Sequence, residues 1–477
     1  MSKPFVVVGG DAAGLSAASK CKREEPDREV IVYEKSQWIS FAHCGMPYYV
    51  KGEIDRLEEM LSLSPEEVAE RGITLERHHE VVDVDPNEQV VTVRSDGETF
   101  EQPYGDLLIA TGARARTAPV GGAEYESVYT MHSMDTAAEV RARVMSPDAT
   151  TVEDNAFDGG YASVDVGDAL AREPPKTVAI VGGGYVGIEM AEAFRAHDFE
   201  THLYQRSDTL VPPFGAAVSE QVKETLEANG VTVHLNTTVE SLEGESDVEA
   251  VVTADGRQSV DLVLLGIGIE PNTELVAETA IEYGESGAIA IDEYGRSSLP
   301  KVYAAGDCAE KHHTVTGEPE WVPLGLTANR AGRAIGQTVA GEPEKVGKIA
   351  GTAVLKAFEL ECGRTGIVDH EKAIAAGFDP VSETITAGSR SGYYPGAAET
   401  TVTLVADRQS GRLLGGTIVG EDRAAVRINQ VATALEAGLT VSEFEQLDLG
   451  YAPPFSPVWD PTLVAAKVLR GQLATDE

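Results

Sequence analysis

"FVVVGGDAAGLSAASKCKREEPDREVIVYEK", residues 5–35, decides the fold. The run Phe5–Val8 is apolar at every position, as a strand covered on both faces of a parallel sheet must be. It stops at two glycines, and the small residues that follow read as a helix. A second apolar strand, Val30 to Tyr33, ends in Glu34, 20 residues after Gly14. At that spacing an acid meets the ribose hydroxyls of a dinucleotide. Gly9 and Gly14 hold the first and third glycine positions of a GxGxxG turn. The second is Asp11, whose carboxylate is expected to point away so that the backbone can still approach a pyrophosphate.

The phrase returns about 170 residues later as "KTVAIVGGGYVGIEMAEAFRAHDFETHLYQRSD", residues 176–208. Here Gly182, Gly184 and Gly187 complete the motif between a strand and a helix. Two such phrases are far more specific than one. The second copy lacks the ribose acid, because that position falls near Gln205 and Arg206 follows. An acid would repel a 2′-phosphate, whereas a guanidinium pairs with it. NADPH is therefore the expected cofactor, with NADH open if Arg206 is merely solvated.

Two strand ends add to this. "YGDLLIATGARA" (104–115) ends a strand at Thr111 and Gly112, and "LPKVYAAGDCAE" (299–310) ends one at Gly306 and Asp307. A carboxylate at such an end can accept hydrogen bonds from the ribityl hydroxyls of a flavin. With both glycine motifs, this order resembles the flavoprotein disulfide reductases that bind two dinucleotides. The resemblance implies an α/β fold with two Rossmann-like domains, one for FAD and one for NAD(P), plus a C-terminal α+β dimerisation domain. The expected boundaries are 1–115 with 296–345 for FAD, 116–295 for NAD(P)H and 346–477 for dimerisation. Residues 144–175, acidic and glycine-rich, look like an insertion. "TTVTLVADRQSGRLLGGTIVG" reads as a hairpin turning at Arg408–Gly411.

"SFAHCGMPYYVKGEI" carries Cys44 with no second cysteine nearby. Dithiol relatives such as glutathione reductase have CxxxxC, but the position five residues after Cys44 is Tyr49. The segment resembles "SFxxCGxPYY" of the single-cysteine branch, which contains coenzyme A disulfide reductases, NADH oxidases and peroxidases, and persulfide reductases. The likeness extends through "VLLGIGIEPNTEL", "GTAVLKAFELECGRTG" and "DLGYAPPFSPVWDP" and covers essentially the whole chain. It implies Cys44 as the redox-active residue, forming a mixed disulfide with coenzyme A that electrons from NADPH cleave by way of FAD. Tyr393 or Tyr394 in "YYPG" and Tyr451 in "YAPP" match tyrosines that reach the partner subunit's cysteine and can protonate a leaving thiolate. Glu189 matches a glutamate near the nicotinamide. Ser40 and His43 flank the cysteine, with His43 standing where asparagine is common. Lys20, Lys22 and Arg23 lie where such reductases recruit basic residues for the nucleotide end of coenzyme A. "CGMPYYV" could begin a helix, whose N-terminal dipole would help the thiolate.

Composition sets the outer limits. With 477 residues, two or three domains are expected. A net charge of −40, from 78 acidic and 38 basic residues, argues against nucleic acid or an anionic membrane as partner. The acids are spread along the chain, which fits a halophilic source. The N-terminus lacks the pattern of a signal peptide, so a cytoplasmic location is expected. With few residues after "LVAAKVLRGQL", a fused sulfurtransferase domain such as some relatives carry is not expected. Cys21, Cys308 and Cys362 read as packing thiols, and neither they nor His312 and His313 have metal-site spacing. Three functions stay open. They are a homodimeric NADPH-dependent reductase of a small-molecule disulfide, an oxidase, peroxidase or persulfide reductase using a Cys44 sulfenate or persulfide, and a non-enzymatic redox-sensing flavoprotein.

Overall fold

The computed structural model describes residues 3–145 and 157–473. Two parallel sheets of five strands dominate the first two thirds of the chain. In the first, Phe5–Val8 lies at the centre, with Val30–Glu34 and then Thr74–Arg77 on one side. Asp106–Ile109 and Val302–Ala304 lie on the other side. The second sheet repeats this order: Thr177–Val181 is central, flanked by Glu200–Tyr204 and Val231–His234, and by Leu262–Leu265 and Val128–Thr130. Each central strand is buried at nearly every position, which explains its unbroken apolar run.

The two edge strands show how the units are threaded. The first sheet takes its last strand from beyond the second unit, and the second takes its own from before its glycine motif. Between them, Ala113–Ala115 and Ile269–Pro271 run antiparallel, carrying the chain out and back. Each unit also carries a three-stranded antiparallel meander, at 80–103 and 239–259.

Beyond residue 350 a five-stranded antiparallel sheet takes over, in the order 353–357, 360–366, 413–420, 399–407 and 380–388. The hairpin 399–420 forms as its alternation requires, closed by Gly411 N–H donating to the Asp407 carbonyl at 2.8 Å. Helices Ala424–Ala437 and Pro461–Leu473 bury Ile428, Val431, Ala465 and Leu469 against it. An α/β chain with two Rossmann-like units and a C-terminal α+β unit is what the sequence led us to expect.

Of the stretch read as an insertion, residues 146–156 lie outside the described residues. Residues 159–163 pack against the loop leading to Cys44, whereas Arg172 turns to Glu126 and Asp247 of the second unit. The Tyr161 hydroxyl donates to the Ile39 carbonyl at 3.1 Å and accepts from the Ile39 N–H at 3.0 Å. Its ring lies 6.0 Å from that of Trp38, and the Arg77 guanidinium lies over it. No helix among the described residues is long and apolar enough to cross a membrane.

Candidate active site

The first glycine loop opens onto helix Ala12–Glu24. Glu34, at the end of the neighbouring strand, accepts the Gly10 N–H at 2.8 Å and the Ser36 N–H at 2.7 Å. Its carboxylate thus sits at the lip of the loop, where ribose hydroxyls would be met. Asp11 does turn away. One oxygen accepts the Phe41 N–H at 3.2 Å and the other pairs with His43 Nε2 at 2.8 Å. The residue that breaks the glycine motif thereby ties the phosphate loop to the cysteine segment. This gives His43 a definite partner. Ser40 is held at φ 49° between the Gly10 carbonyl and the Ser62 N–H.

In the second copy Gln205 takes the place of Glu34, accepting the Gly183 N–H at 3.1 Å. Its amide nitrogen donates to Ser207 Oγ and the Thr209 carbonyl. Arg206 is exposed beside it and forms no ion pair among the described residues. Asp11 and Gly184 are the helix N-caps of the two copies and share an extended backbone, at φ −109° and −88°. A Cβ at Gly184 would meet no atom within 4 Å, so the groove over this loop is open. At Gly187 a Cβ would lie 1.9 Å from the Gly182 carbonyl oxygen, and Gly14 stands in the same relation to Gly9. Backbone contacts of that kind leave no flexible side chain to yield. Gly187→Ala is expected to lower stability by about 1–3 kcal/mol or more and to weaken NADPH binding while FAD stays bound. Thermal melting and NADPH titration of the purified variant check this.

Cys44 lies in a 3₁₀ turn, His43–Gly45, that leads into helix Met46–Lys51. The helix forms as "CGMPYYV" suggested, but it has only six residues and Gly45 is its N-cap. Cys44 is the exposed cysteine, whereas Cys21, Cys308 and Cys362 are buried. Burial pushes the Cys21 thiol up to about 11 and Cys362 to about 12. Cys308 Sγ points at the Ile109 and Ala305 carbonyls. All three are packing thiols. Tyr49 is fully buried, its backbone carbonyl accepting from Arg141 at 2.7 Å.

The Cys44 thiol also lies above its ordinary range, first because surrounding protein displaces water and then through Glu189 and Asp307. The helix after Cys44 is under two turns long, and burial first, then the two carboxyls, set the direction of the thiol. Asp307 is itself pushed up by burial, with Lys311, His43 and His132 pulling the other way. Its carbonyl accepts the Trp321 indole N–H at 2.8 Å. Thr111 and Gly112 are strapped to Asn272 by three hydrogen bonds, fixing the crossover strand next to Asp307's own strand end.

Glu189 projects from helix Tyr185–Ala196 of the second unit toward helix Met46–Lys51 of the first. The Tyr48 hydroxyl lies 3.4 Å from its Oε1, and burial pushes the carboxyl up to about 7. One turn on, Glu192 is 5% exposed and accepts hydrogen bonds from Lys51, Lys356 and the Phe358 N–H. No spacing rule points to Glu192, because its three donors come from two other units of the chain.

Tyr393, Tyr394 and Tyr451 are 82%, 37% and 61% exposed and make no hydrogen bond or ring contact with the Cys44 segment of their own chain. They share an anchor, however. Buried Arg427 donates to the carbonyls of Ser389 and Phe455 and pairs with Asp460 at 3.0 Å, joining the "YYPG" loop to the "YAPP" segment. Arg390, paired with Asp422, lies over the Tyr394 ring.

The basic residues of the first helix are placed less simply than the sequence suggested. Lys20 is buried and paired with Glu24, and Lys22 donates to the Pro26 and Arg28 carbonyls. Arg23 is exposed. Two cations far away in sequence join it: Arg333 lies close enough to help hold the Glu24 carboxyl below its usual range, and Arg71 donates to Ser19 Oγ at 3.0 Å. Among the described residues no group of three or more His, Cys, Asp or Glu could hold a metal.

Residues 3–331 match the pyridine nucleotide-disulphide oxidoreductase family, and residues 352–461 match that family's dimerisation domain. A Pyrococcus horikoshii protein described as an NAD(P)H coenzyme A polysulfide/persulfide reductase is 36% identical over 472 residues, 98% of this chain and 99% of that one. The NAD-dependent persulfide reductase of A. fulgidus superposes with a TM-score of 0.89 at 30% identity, covering 99% of this chain and 84% of that one. Reduced Bacillus anthracis CoADR-RHD gives 0.89 at 27% identity, over 100% of this chain and 81% of that one.

Proposed function

The chain belongs to the pyridine nucleotide-disulphide oxidoreductase family, and from that premise we propose that it reduces coenzyme A disulfide, or a similar small disulfide, with NADPH through Cys44 alone. The observation that carries this reading is the isolation of Cys44. It is the exposed cysteine of four, and buried Tyr49 holds the position a second redox thiol would need. A disulfide partner for Cys44 must therefore arrive with the substrate.

The residues present fit the two dinucleotides of an FAD-dependent NAD(P)H oxidoreductase. Glu34, Asp307 and the Gly9–Gly14 turn would hold FAD, and the open Gly184 loop with Arg206 would hold NADPH. When bound, FAD supplies an acceptor for hydride and a donor of electron pairs. The chain does the rest. Cys44 Sγ attacks one sulfur of the disulfide, forming a mixed disulfide and expelling the other half as a thiolate, which takes up a proton. A two-electron reduction then cleaves the mixed disulfide, returning Cys44 as thiolate and releasing the second thiol after protonation. The net change is RSSR + NADPH + H⁺ → 2 RSH + NADP⁺. Tyr451 with Tyr393 or Tyr394 of a partner subunit would donate those protons, so the working unit is a cytoplasmic homodimer with shared sites. Resting as a mixed disulfide also suits Cys44, since burial and then the nearby carboxyls disfavour a free thiolate. Arg23, with Arg71 and Arg333, offers positive charge for the phosphates of coenzyme A within an acidic chain. The domain boundaries stated from the sequence are part of this proposal.

A persulfide is the second reading, favoured by the relatives from P. horikoshii and A. fulgidus, which are described as persulfide reductases. Denaturing the purified enzyme and weighing the Cys44 peptide tests both. Coenzyme A on Cys44, with NADPH oxidation faster on coenzyme A disulfide than on coenzyme A persulfide or oxygen, is the expected result. Faster turnover on the persulfide selects the second reading, and a sulfenate with rapid oxygen consumption overturns both.

A further inference from the structure

Three units of the chain meet at a single buried carboxylate. Glu192, on the helix that follows the second glycine loop, accepts Lys51 Nζ at 2.7 Å, Lys356 Nζ at 2.9 Å and the Phe358 N–H at 2.8 Å. Lys51 closes helix Met46–Lys51, which begins two residues after Cys44. Lys356 and Phe358 belong to the first hairpin of the C-terminal sheet, with Phe358 at φ 54° in its turn. We propose that Glu192 is a positioning residue, which fixes the helix carrying Glu189 against the helix following Cys44 and thereby sets the approach of the nicotinamide domain to the cysteine.

Geometry makes this more than a stabilising ion pair. Glu189 and Glu192 lie three residues apart and so project from neighbouring turns of one helix face. Holding Glu192 from both sides fixes the rotation and the axial position of that helix. The Tyr48–Glu189 contact at 3.4 Å then depends on the clamp, because Tyr48 and Lys51 share the facing helix. Burial disfavours the Glu192 carboxylate, yet its hydrogen bonds from Lys51, Lys356 and Phe358 keep it below the ordinary carboxyl range. Such a site holds its charge in one geometry. The charged and titratable groups around it are Glu189 on its own helix, Tyr48, Lys51 and Glu53 from the cysteine side, and Lys356 from the hairpin.

The inference rests on the placement of Glu189 beside the nicotinamide, and the test separates the two. Glu192→Gln is expected to slow the limiting rate of flavin reduction by NADPH about tenfold or more, with FAD content and NADPH affinity unchanged. It should also lower the pH midpoint for iodoacetamide alkylation of Cys44 in holoenzyme whose mixed disulfide has been cleaved with dithiothreitol and the released thiol removed, because Glu189 retreats from a thiol it helps hold up. Lys51→Met should act in the same direction, and the double variant should be no slower than Glu192→Gln alone. A Glu192→Gln enzyme that melts earlier but keeps the wild-type reduction rate and alkylation midpoint overturns the proposal. If that variant does not fold, wild-type values for both readouts in Lys51→Met overturn it instead. Glu189→Gln is the control: an unslowed flavin reduction there refutes the nicotinamide placement, while the Cys44 alkylation midpoint still judges the clamp.

Discussion

Cys44→Ser is expected to abolish disulfide turnover, with a loss of roughly a thousandfold or more, while FAD stays bound and NADPH still bleaches the flavin once. Serine keeps the size of the side chain, so the turn 43–45 and the helix after it should stand. What disappears is the sulfur that exchanges with the substrate's disulfide, and no other cysteine can replace it. Cys21, Cys308 and Cys362 are buried, and burial holds their thiols protonated. The measurement is paired: steady-state oxidation of NADPH on coenzyme A disulfide, and anaerobic reduction of the flavin by one equivalent of NADPH. Retained turnover would remove Cys44 from its role. Loss of flavin reduction as well would mean that the substitution damaged the fold rather than the exchange.

Much of this site was legible because its chemistry is written in local patterns. Both glycine turns and Glu34 follow from spacing, since backbone approach and ribose contacts occur at fixed offsets from a strand, whereas Asp307 entered as a carboxylate at a strand end and through the resemblance. Cys44 stood out through the likeness of its whole segment rather than any spacing. What could not be read were contacts between distant parts of the chain. Asp11 was expected to turn its carboxylate aside, but only the fold shows that His43 and the Phe41 N–H receive it. Lys20 and Lys22 looked like a free basic patch, yet one turn of helix later Glu24 captures Lys20, and two carbonyls capture Lys22. Arg71 and Arg333 carry part of that patch from elsewhere. Arg427 and Glu192 belong to the same class, since each gathers three segments that no window of sequence contains. The helix after Cys44 could be anticipated but, for a related reason, not the burial of the thiol or the carboxyls of Glu189 and Asp307 folded toward it.

Exchange of the second nucleotide's ribose contacts should reverse the cofactor preference. Gln205 and Glu34 occupy corresponding places, each accepting an N–H of its own glycine loop, at 3.1 and 2.8 Å. Gln205→Glu therefore sets a carboxylate where the first copy already holds one, at the hydroxyls of an adenosine ribose. Arg206→Ala removes the exposed guanidinium that would pair with a 2′-phosphate. A hydrogen bond to a charged group contributes about 1.5–3 kcal/mol, which corresponds to roughly tenfold to a hundredfold in affinity per group. Arg206→Ala alone should thus lower kcat/KM for NADPH by about that factor and leave NADH nearly unchanged. The double variant should fall further with NADPH, through repulsion by the new carboxylate, and gain with NADH. Some of the gain will be offset locally, because the Gln205 amide donates to the Thr209 carbonyl and a carboxylate cannot. Ser207 Oγ, already 2.9 Å from that carbonyl, can keep it satisfied. Flavin reduction by each nucleotide, followed by stopped flow, reads the preference without involving the disulfide. An unchanged NADPH-to-NADH ratio in Arg206→Ala would show that the guanidinium is solvated and that the loop takes either cofactor.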